Sequence, residues 1–333
     1  MTNNKKLYGQ FFTTINPFNI DIFYKWFDLI PENKKKILLE PFAGSNNIVK
    51  MIQDLKFTYE WHCYDINPGS NCMPKFPIKE RDTIKDFPKG YYVTMTNPPY
   101  LAKNSATKRK FIFPNTHYDD LYKICLDVML KNLEYVAAII PESFINANIF
   151  QNRLYSFISL TCKMFDDTEC PVCLALFIPE SQKEEINLET EDFYVYRQNE
   201  YIGNYKELKE KIPKSTLNIN WKFNDPNGSI GIRCVDGTIE PNIKFIKGSE
   251  IDKTKIKVSS RSITRVSGLP ANINLEEFIN RCNKELIKYR TETEDLFFTC
   301  FKGLRKDGKY RRRLDFANAK LIMNSVIEEM KEF

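Results

Sequence analysis

Short apolar runs separated by helix-length stretches fill the first half of the chain, and that alternation leaves few folds open. Ile37-Leu38-Leu39 reads as a short buried strand, and residues 46–55 have a helical pattern. Residues 59–64 form a second expected strand, Tyr91-Tyr92-Val93-Thr94-Met95 a third, residues 120–132 a helix, and Tyr135-Val136-Ala137-Ala138-Ile139-Ile140 a further buried strand. Strands apolar on both faces and alternating with helices imply a mostly parallel sheet, because parallel neighbours need crossovers and crossover helices cover both faces. The expected fold class is therefore α/β, a doubly wound, Rossmann-like, mostly parallel sheet. Residues 172–178 are expected to add an edge strand pair at its end.

From about Pro179 the texture changes. Ser181-Gln182-Lys183-Glu184-Glu185 reads as a polar linker, and short β-like pieces then sit between the turn signals Asn227-Gly228, Asp236-Gly237 and Lys247-Gly248. Helices are predicted over 275–290 and 315–330. A chain of 333 residues can bury two cores, and the expected division is 1–180 and 181–333, the second a smaller α+β domain with a C-terminal helix.

Chemistry concentrates where the strands of the first half end. Glu40-Pro41-Phe42-Ala43-Gly44-Ser45-Asn46-Asn47 follows the first strand. An acid at a strand's carboxyl end and a small-residue turn into a helix are how doubly wound sheets meet a ligand, although the same pattern describes an ordinary β-to-α turn. Neither G-x-G-x-x-G nor G-x-x-x-x-G-K-[ST] occurs, which favours a ligand without phosphates. Asp65 closes the second strand about 20 residues past that turn, the place for a carboxylate on a ribose diol. Asp82 follows the next apolar stretch and could read an adenine edge. Asn97-Pro98-Pro99-Tyr100 follows the third strand. There the Asn oxygen and the Pro98 carbonyl can both accept from one NH2 group, the prolines stiffen those acceptors, and the Tyr ring can stack on a planar group. Such an arrangement suits transfer of a group to an exocyclic or amide nitrogen.

Other features bound the class. The nine cysteines are scattered; only Cys170-Pro171-Val172-Cys173 has ligand-like spacing, and His62 and His117 do not complete a zinc set. Free thiols in a reducing compartment, and no metal, are the expectation. No stretch reads as a transmembrane span or signal peptide, so a soluble, intracellular (cytoplasmic) protein without a membrane partner is expected. The net charge is +6, and between Lys244 and Arg313 there are 18 Lys and Arg against 9 Asp and Glu. That excess fits a polyanionic partner, and equally a solvated basic face.

The order of these motifs resembles that of the S-adenosylmethionine-dependent amino-methyltransferases, specifically the γ-type (N12) DNA adenine-N6 methyltransferases of restriction-modification systems. The resemblance covers about residues 7–178, with the class I methyltransferase fold implied. Tyr8-Gly9-Gln10-Phe11-Phe12-Thr13-Thr14 resembles the family's N-terminal motif, 40–44 its cofactor turn, Asp65 its ribose acid, Asp82 its adenine-reading acid, and Asn97 to Tyr100 its catalytic tetrapeptide. The turn departs from the common glycine-richer form after Gly44. The cofactor-binding set so implied is Phe12, Thr13, Thr14, Glu40, Pro41, Ala43, Gly44, Asp65, Ile66, Asp82 and Asn97.

The resemblance implies direct transfer to N6 of an adenine flipped out of duplex DNA, with Asn97, Pro98, Pro99 and Tyr100 catalytic. Tyr100 would stack on one face of the base. Phe165 resembles the aromatic that closes the other, though an aromatic before a strand also fits a core position. Lys103, Lys108 and Arg109 lie in a polar, cationic loop suited to a nucleic-acid backbone, a pattern also met in plain surface loops. Arg261, Arg265, Arg311 and Arg312 offer donors for phosphates and guanine edges. Double-stranded DNA is the expected partner, with a cognate restriction endonuclease in the same system but not in direct contact. The tetrapeptide alone also permits methylation of RNA (adenine or guanine) or of a protein glutamine. The N-terminal motif and the long basic second half favour DNA.

Overall fold

The computed structural model describes residues 13–162, 164–165 and 169–331. They divide into two compact units, one ending at Tyr205 and the other beginning at Lys206.

The first unit is built on a nine-stranded sheet. Its strands are β1 (Ile37–Glu40), β2 (Glu60–Asp65), β3 (Ile78–Glu80), β4 (Val93–Thr96), β5 (Tyr135–Pro141), β6 (Leu154–Leu160), β7 (Val172–Phe177), β8 (Tyr194–Arg197) and β9 (Glu200–Asn204). Their order is β3-β2-β1-β4-β5-β7-β6-β8-β9, and only β7 and β9 run against the rest. The chain moves outward from β1 through β2 to β3, then returns to place β4 on the other side of β1. The expected doubly wound α/β sheet is thus present, with its topological switch between β1 and β4.

Among the described residues five α-helices accompany it: α1 (Asp21–Asp28), α2 (Asn47–Asp54), α3 (Lys103–Lys108), α4 (Leu121–Asn132) and α5 (Glu180–Glu185). Helix α1 buries Ile22, Phe23, Trp26 and Phe27, an apolar stripe at helical spacing. Its Trp26 indole donates to the Phe177 carbonyl at 3.0 Å, pinning the helix to β7. Strand β4 is wholly buried, and its two threonines are satisfied inside: Thr94 Oγ1 donates to the Leu39 carbonyl at 2.7 Å and Thr96 Oγ1 to Glu40 Oε1 at 2.5 Å.

Three expectations for this unit need correction. Residues 172–178 are not an edge: β7 lies between β5 and β6, fully buried, and the sheet continues through β8 and β9. The supposed linker at 181–185 lies within α5, where the Lys183 ammonium is buried and donates to the carbonyls of Gln151, Thr190 and Asp192 at 2.7–2.9 Å. In consequence the first unit extends some 25 residues past the expected boundary near 180. No described helix is long and apolar enough to cross a membrane.

Helix α6 (Tyr205–Glu210) begins at the boundary. The second unit holds an antiparallel sheet of β10 (Lys222–Phe223), β11 (Ile230–Arg233), β12 (Lys244–Lys247) and β13 (Ile263–Ser267), in the order β10-β13-β11-β12. Helix α7 (Leu275–Glu292) packs on β12. Asn274 caps it, its side chain accepting from the Glu277 amide at 3.0 Å. A hairpin follows, of β14 (Thr299–Leu304) and β15 (Tyr310–Arg313), then α8 (Phe316–Lys331), which packs on α7. Both predicted helices are present within a residue or two. Gly248 is required where it stands, because a Cβ there would lie 2.1 Å from the Gly228 carbonyl oxygen.

Candidate functional site

The switch point places the carboxyl ends of β1 and β4 side by side, and the segments leaving them diverge into a cleft. Thr13, Phe42, Ala43, Gly44, Ser45, Asn47, Ile48, Asp65, Ile66, Asp82, Thr83, Ile84, Asn97, Pro99 and Leu121 line it. Its empty space is about 940 Å³, open mouth included. Among the described residues the lining holds two carboxylates and no lysine or arginine. Such a wall suits a neutral or cationic ligand and disfavours phosphates. Ile66, 57% exposed, presents an apolar side chain at this cleft.

The turn after β1 is held from beneath and from the side. Gly44 has φ +53, a left-handed conformation that glycine adopts without cost. Its amide donates to Asp65 Oδ2 at 2.8 Å, and Asp65 Oδ1 accepts from the Asn67 amide at 2.8 Å. Burial raises the Asp65 carboxyl, and these two backbone donors pull it back. Each carboxylate oxygen retains a lone pair for a ligand hydroxyl. Asp82 pairs with Lys85 at 2.8 Å, and its neighbour Thr83 donates to the Pro41 carbonyl at 2.9 Å, tying the 82–84 wall to the turn.

Glu40 and Pro41, expected to bind cofactor, stand behind the turn. Both are buried and neither lines the cleft. Glu40 Oε1 accepts from Thr96 Oγ1 and from the Phe42 amide, the latter at 3.1 Å. Its Oε2 has no hydrogen-bond partner among the described residues. Burial pushes this carboxyl up to about 8, so it is largely neutral at pH 7. Glu40 Oε1 thus supports the turn from inside.

Thr13 and Thr14 are the described part of the N-terminal motif; Tyr8 to Phe12 lie outside the described residues. Thr13 forms an isolated bridge with Phe165, and Thr14 donates twice to the Met164 carbonyl. The Asn47 amide nitrogen donates to the Thr13 carbonyl at 3.2 Å, and Asn97 Nδ2 donates to Thr13 Oγ1 at 3.2 Å. Residues of three separate motifs therefore meet at Thr13. Sequence reasoning passed over Asn47 as a binding residue, although it stands in the same turn as Gly44. It also passed over Asn46, which is fully buried at φ +64 and donates to Asn71 Oδ1 and the Phe76 carbonyl.

Asn97 faces the cleft, whereas Tyr100 is not an open stacking platform. The Tyr100 ring is 8% exposed and Phe165 is 0% exposed, and the two meet edge to face with centroids 6.2 Å apart. No slot separates them here. The Tyr100 hydroxyl lies 2.5 Å from both Asn97 Oδ1 and the Ile139 carbonyl oxygen. Burial raises its phenol well above the usual range, so the hydroxyl keeps its proton. The chain beyond the tetrapeptide is tied to the start of α4, the Leu101 amide donating to Asp120 Oδ1 at 3.0 Å. Lys103 and Lys108 belong to helix α3 instead of a loop; with Arg109 at its end, all three are exposed.

In the second unit the basic run divides. Asp236, fully buried, receives Arg290 through both carboxylate oxygens at 2.8–2.9 Å, Arg305 at 2.9 Å and the Arg312 amide at 3.1 Å. Burial alone would raise this carboxyl, but the Arg290 guanidinium and the backbone donors hold it below the usual range. Arg311 donates through Nε and Nη2 to the Asp236 carbonyl and lies over the Phe301 ring at 4.9 Å. Arg312 is buried and donates to Cys300 Sγ. Arg311 and Arg312, expected to meet DNA, are thus spent largely on internal bonds. Arg265 is half-buried and donates to the Gly228 carbonyl at 3.0 Å, while Arg261 is exposed.

No protein-family model matches the sequence, and no curated protein matches it. Solved structures match remotely. A protein from Listeria monocytogenes described as a candidate class I S-adenosylmethionine-dependent methyltransferase matches at 13% identity and a TM-score of 0.36, over 47% of this chain and 58% of that one. The methyltransferase subunit of a type I restriction-modification system from Streptococcus thermophilus matches at 16% identity and 0.38, over 56% and 47%. A human methyltransferase 10 domain containing protein matches at 9% identity and 0.30, over 52% and 91%. The chain spans about half the length of the first two. Likenesses this remote carry no functional weight, and the chain's own residues must do so.

Proposed function

We propose that this chain is an S-adenosylmethionine-dependent methyltransferase that acts on an exocyclic amino group, adenine N6 in duplex DNA. One observation carries the reading: Thr13, Gly44, Asp65, Asp82 and Asn97, from five separated segments, border a single cleft at the switch point. The cleft's character fits the cofactor. Two carboxylates, an exposed isoleucine and, among the described residues, no cationic side chain suit a nucleoside with a diol, an amino-bearing base and a positive sulfonium, and the carboxylates would repel a nucleotide's phosphates.

In this reading Asp65 accepts from the ribose hydroxyls, Ile66 covers the base and Asp82 accepts from its amino edge. When bound, S-adenosylmethionine supplies an electrophilic methyl group, whose carbon–sulfur bond would break as the nitrogen–carbon bond forms, leaving neutral S-adenosylhomocysteine, with the surplus proton on nitrogen released to water. Asn97 Oδ1 and the Pro98 carbonyl accept the two hydrogens of the target amino group. That draws its lone pair out of conjugation and aims it along one line, so positioning and fixed dipoles provide most of the acceleration. No side-chain nucleophile is required. The second unit, through Arg261 and the exposed lysines, would supply backbone contacts to DNA, and Lys103, Lys108 and Arg109 would do so beside the site. A restriction endonuclease of matching specificity, not in contact with the chain, completes the proposal.

The test is single-molecule sequencing of plasmid DNA from cells expressing the protein, beside cells expressing Asn97→Ala. N6-methyladenine in one short sequence context, absent with the variant, is the expected result. Unmodified adenine under high expression, with methyl transfer to RNA or protein instead, would overturn the DNA assignment.

A further inference from the structure

We infer that the Thr13 and Tyr100 hydroxyls are positioning residues that fix the orientation of the Asn97 amide, with the Ile139 carbonyl as the alternative acceptor that lets Tyr100 release it to substrate. This inference rests on the methyltransferase reading above.

An asparagine amide presents an oxygen and a nitrogen of nearly equal size, and a half-turn about its terminal bond exchanges an acceptor for a donor. A residue that must accept from an amino group fails in the reversed orientation. Asn97 is gripped at both ends: Nδ2 donates to Thr13 Oγ1 at 3.2 Å, and Oδ1 accepts from the Tyr100 hydroxyl at 2.5 Å. Thr13 is itself fixed through its backbone, which accepts from Asn47 Nδ2 at 3.2 Å and bridges Phe165. The orientation of the amide is therefore set from the N-terminal segment and from the fourth residue of the tetrapeptide together.

Tyr100 has one hydroxyl proton and two acceptors, Asn97 Oδ1 and the Ile139 carbonyl oxygen, each at 2.5 Å. Before substrate enters, the proton on the Asn97 side keeps Oδ1 satisfied. When an amino group arrives, the Tyr100 proton can turn to Ile139 while the substrate donates to Oδ1. The substrate takes over Oδ1 as Tyr100 turns away, so the Asn97 oxygen accepts a hydrogen bond both before and after the exchange. Phe165 and Tyr122 pack edge-on against the Tyr100 ring and keep the hydroxyl where both acceptors lie in reach.

The test uses the full chain with radiolabelled S-adenosylmethionine and unmethylated bacteriophage DNA, which offers many short sites. Tyr100→Phe keeps the ring and removes only the hydroxyl; Thr13→Val keeps the shape and removes the acceptor. Both are expected to lower kcat by about 10-fold or more, the scale of a misaligned reacting group, with the KM for each substrate and the Kd of S-adenosylhomocysteine within about twofold. Thr13→Ser should recover most of what Thr13→Val loses. Thermal melts separate these effects from unfolding. An unchanged kcat in Tyr100→Phe, or a loss in Thr13→Val that Thr13→Ser does not restore, overturns the inference while the methyltransferase reading stands. A wild-type protein that binds S-adenosylhomocysteine but transfers no methyl group to DNA overturns the DNA reading and this inference with it.

Discussion

Asp65 accepts the Gly44 amide at 2.8 Å, and so joins the end of β2 to the turn that leaves β1. The same carboxylate faces the cleft, so one side chain both shapes the turn and offers acceptors to a ligand. Asp65→Ala should weaken S-adenosylhomocysteine binding by roughly 10-fold or more and destabilise the first unit by about 1–3 kcal/mol, because two backbone donors lose their acceptor. Calorimetry and urea unfolding would measure the two effects separately. Binding that survives intact would remove Asp65 from the site.

Ile66 separates function from stability more sharply. It is 57% exposed, so Ile66→Ala removes little from the folded core, and the melting temperature should stay within about 1 °C of wild type. If a nucleoside base covers it, the variant should bind S-adenosylhomocysteine several-fold more weakly, for a loss of about 1 kcal/mol of apolar burial. Equal affinities in isothermal titration would argue against a base at that wall.

Glu40 makes stability depend on pH. Its carboxyl ionises near 4.5 when unfolded and near about 8 when folded. The folded state therefore holds a proton that the unfolded state releases across that interval. Stability is full below about pH 4.5 and falls as pH rises toward 8, by about 1.4 kcal/mol per pH unit for one such group. Glu40→Gln has no proton to lose. The gap between the urea midpoints of the Gln variant and wild type should widen in the variant's favour from pH 5 to pH 8; a constant gap would mean that Glu40 is ionised throughout.

Within the second unit, Asp236 and Arg261 should behave as opposites. Asp236→Ala removes the buried carboxylate that Arg290 and Arg305 share, while Arg290 keeps Asp295 and Arg305 keeps Asp307, and losing charge-assisted hydrogen bonds of this kind costs about 1.5–3 kcal/mol. Arg261→Ala, at an exposed position, should alter stability by no more than about 0.5 kcal/mol while weakening retention of a DNA duplex in a filter-binding assay. DNA retention unchanged by Arg261→Ala, with a melting temperature also unchanged, would leave that arginine without a role in the complex.

The strands β1 and β5 were legible as apolar runs, and β2 and β4 as short segments rich in aromatic and β-branched residues, each with a helix before or after it. Strand β6 was not, since Ser156 and Ser159 interrupt its pattern. Their hydroxyls are satisfied by partners remote in sequence, the Tyr194 carbonyl and Glu142 Oε1. The charged segment at 181–185 misled for a related reason: Lys183 finds three carbonyls inside the first unit, and no local pattern announces them. Likewise the arginines at 305, 311 and 312 read as a surface patch because the acid that turns them inward, Asp236, lies about 70 residues upstream. Of the site, the strand-end residues Asp65 and Asn97 were readable from position alone. The buried role of Glu40 and the closed packing of Tyr100 on Phe165 depend on tertiary neighbours.

The bridge between Thr13 and Phe165 also has a consequence in time. Thr14 and Met164 are 150 residues apart, and ribosomes add roughly 5–20 residues per second. The segment that completes the cleft leaves the ribosome early, then waits on the order of ten seconds for the strand region that will receive it. Until then the Thr13 hydroxyl has no fixed place from which to accept from Asn97 Nδ2. The cleft is therefore finished late during biosynthesis, and a bound ligand can stabilise the first unit only after most of its sheet has already been made.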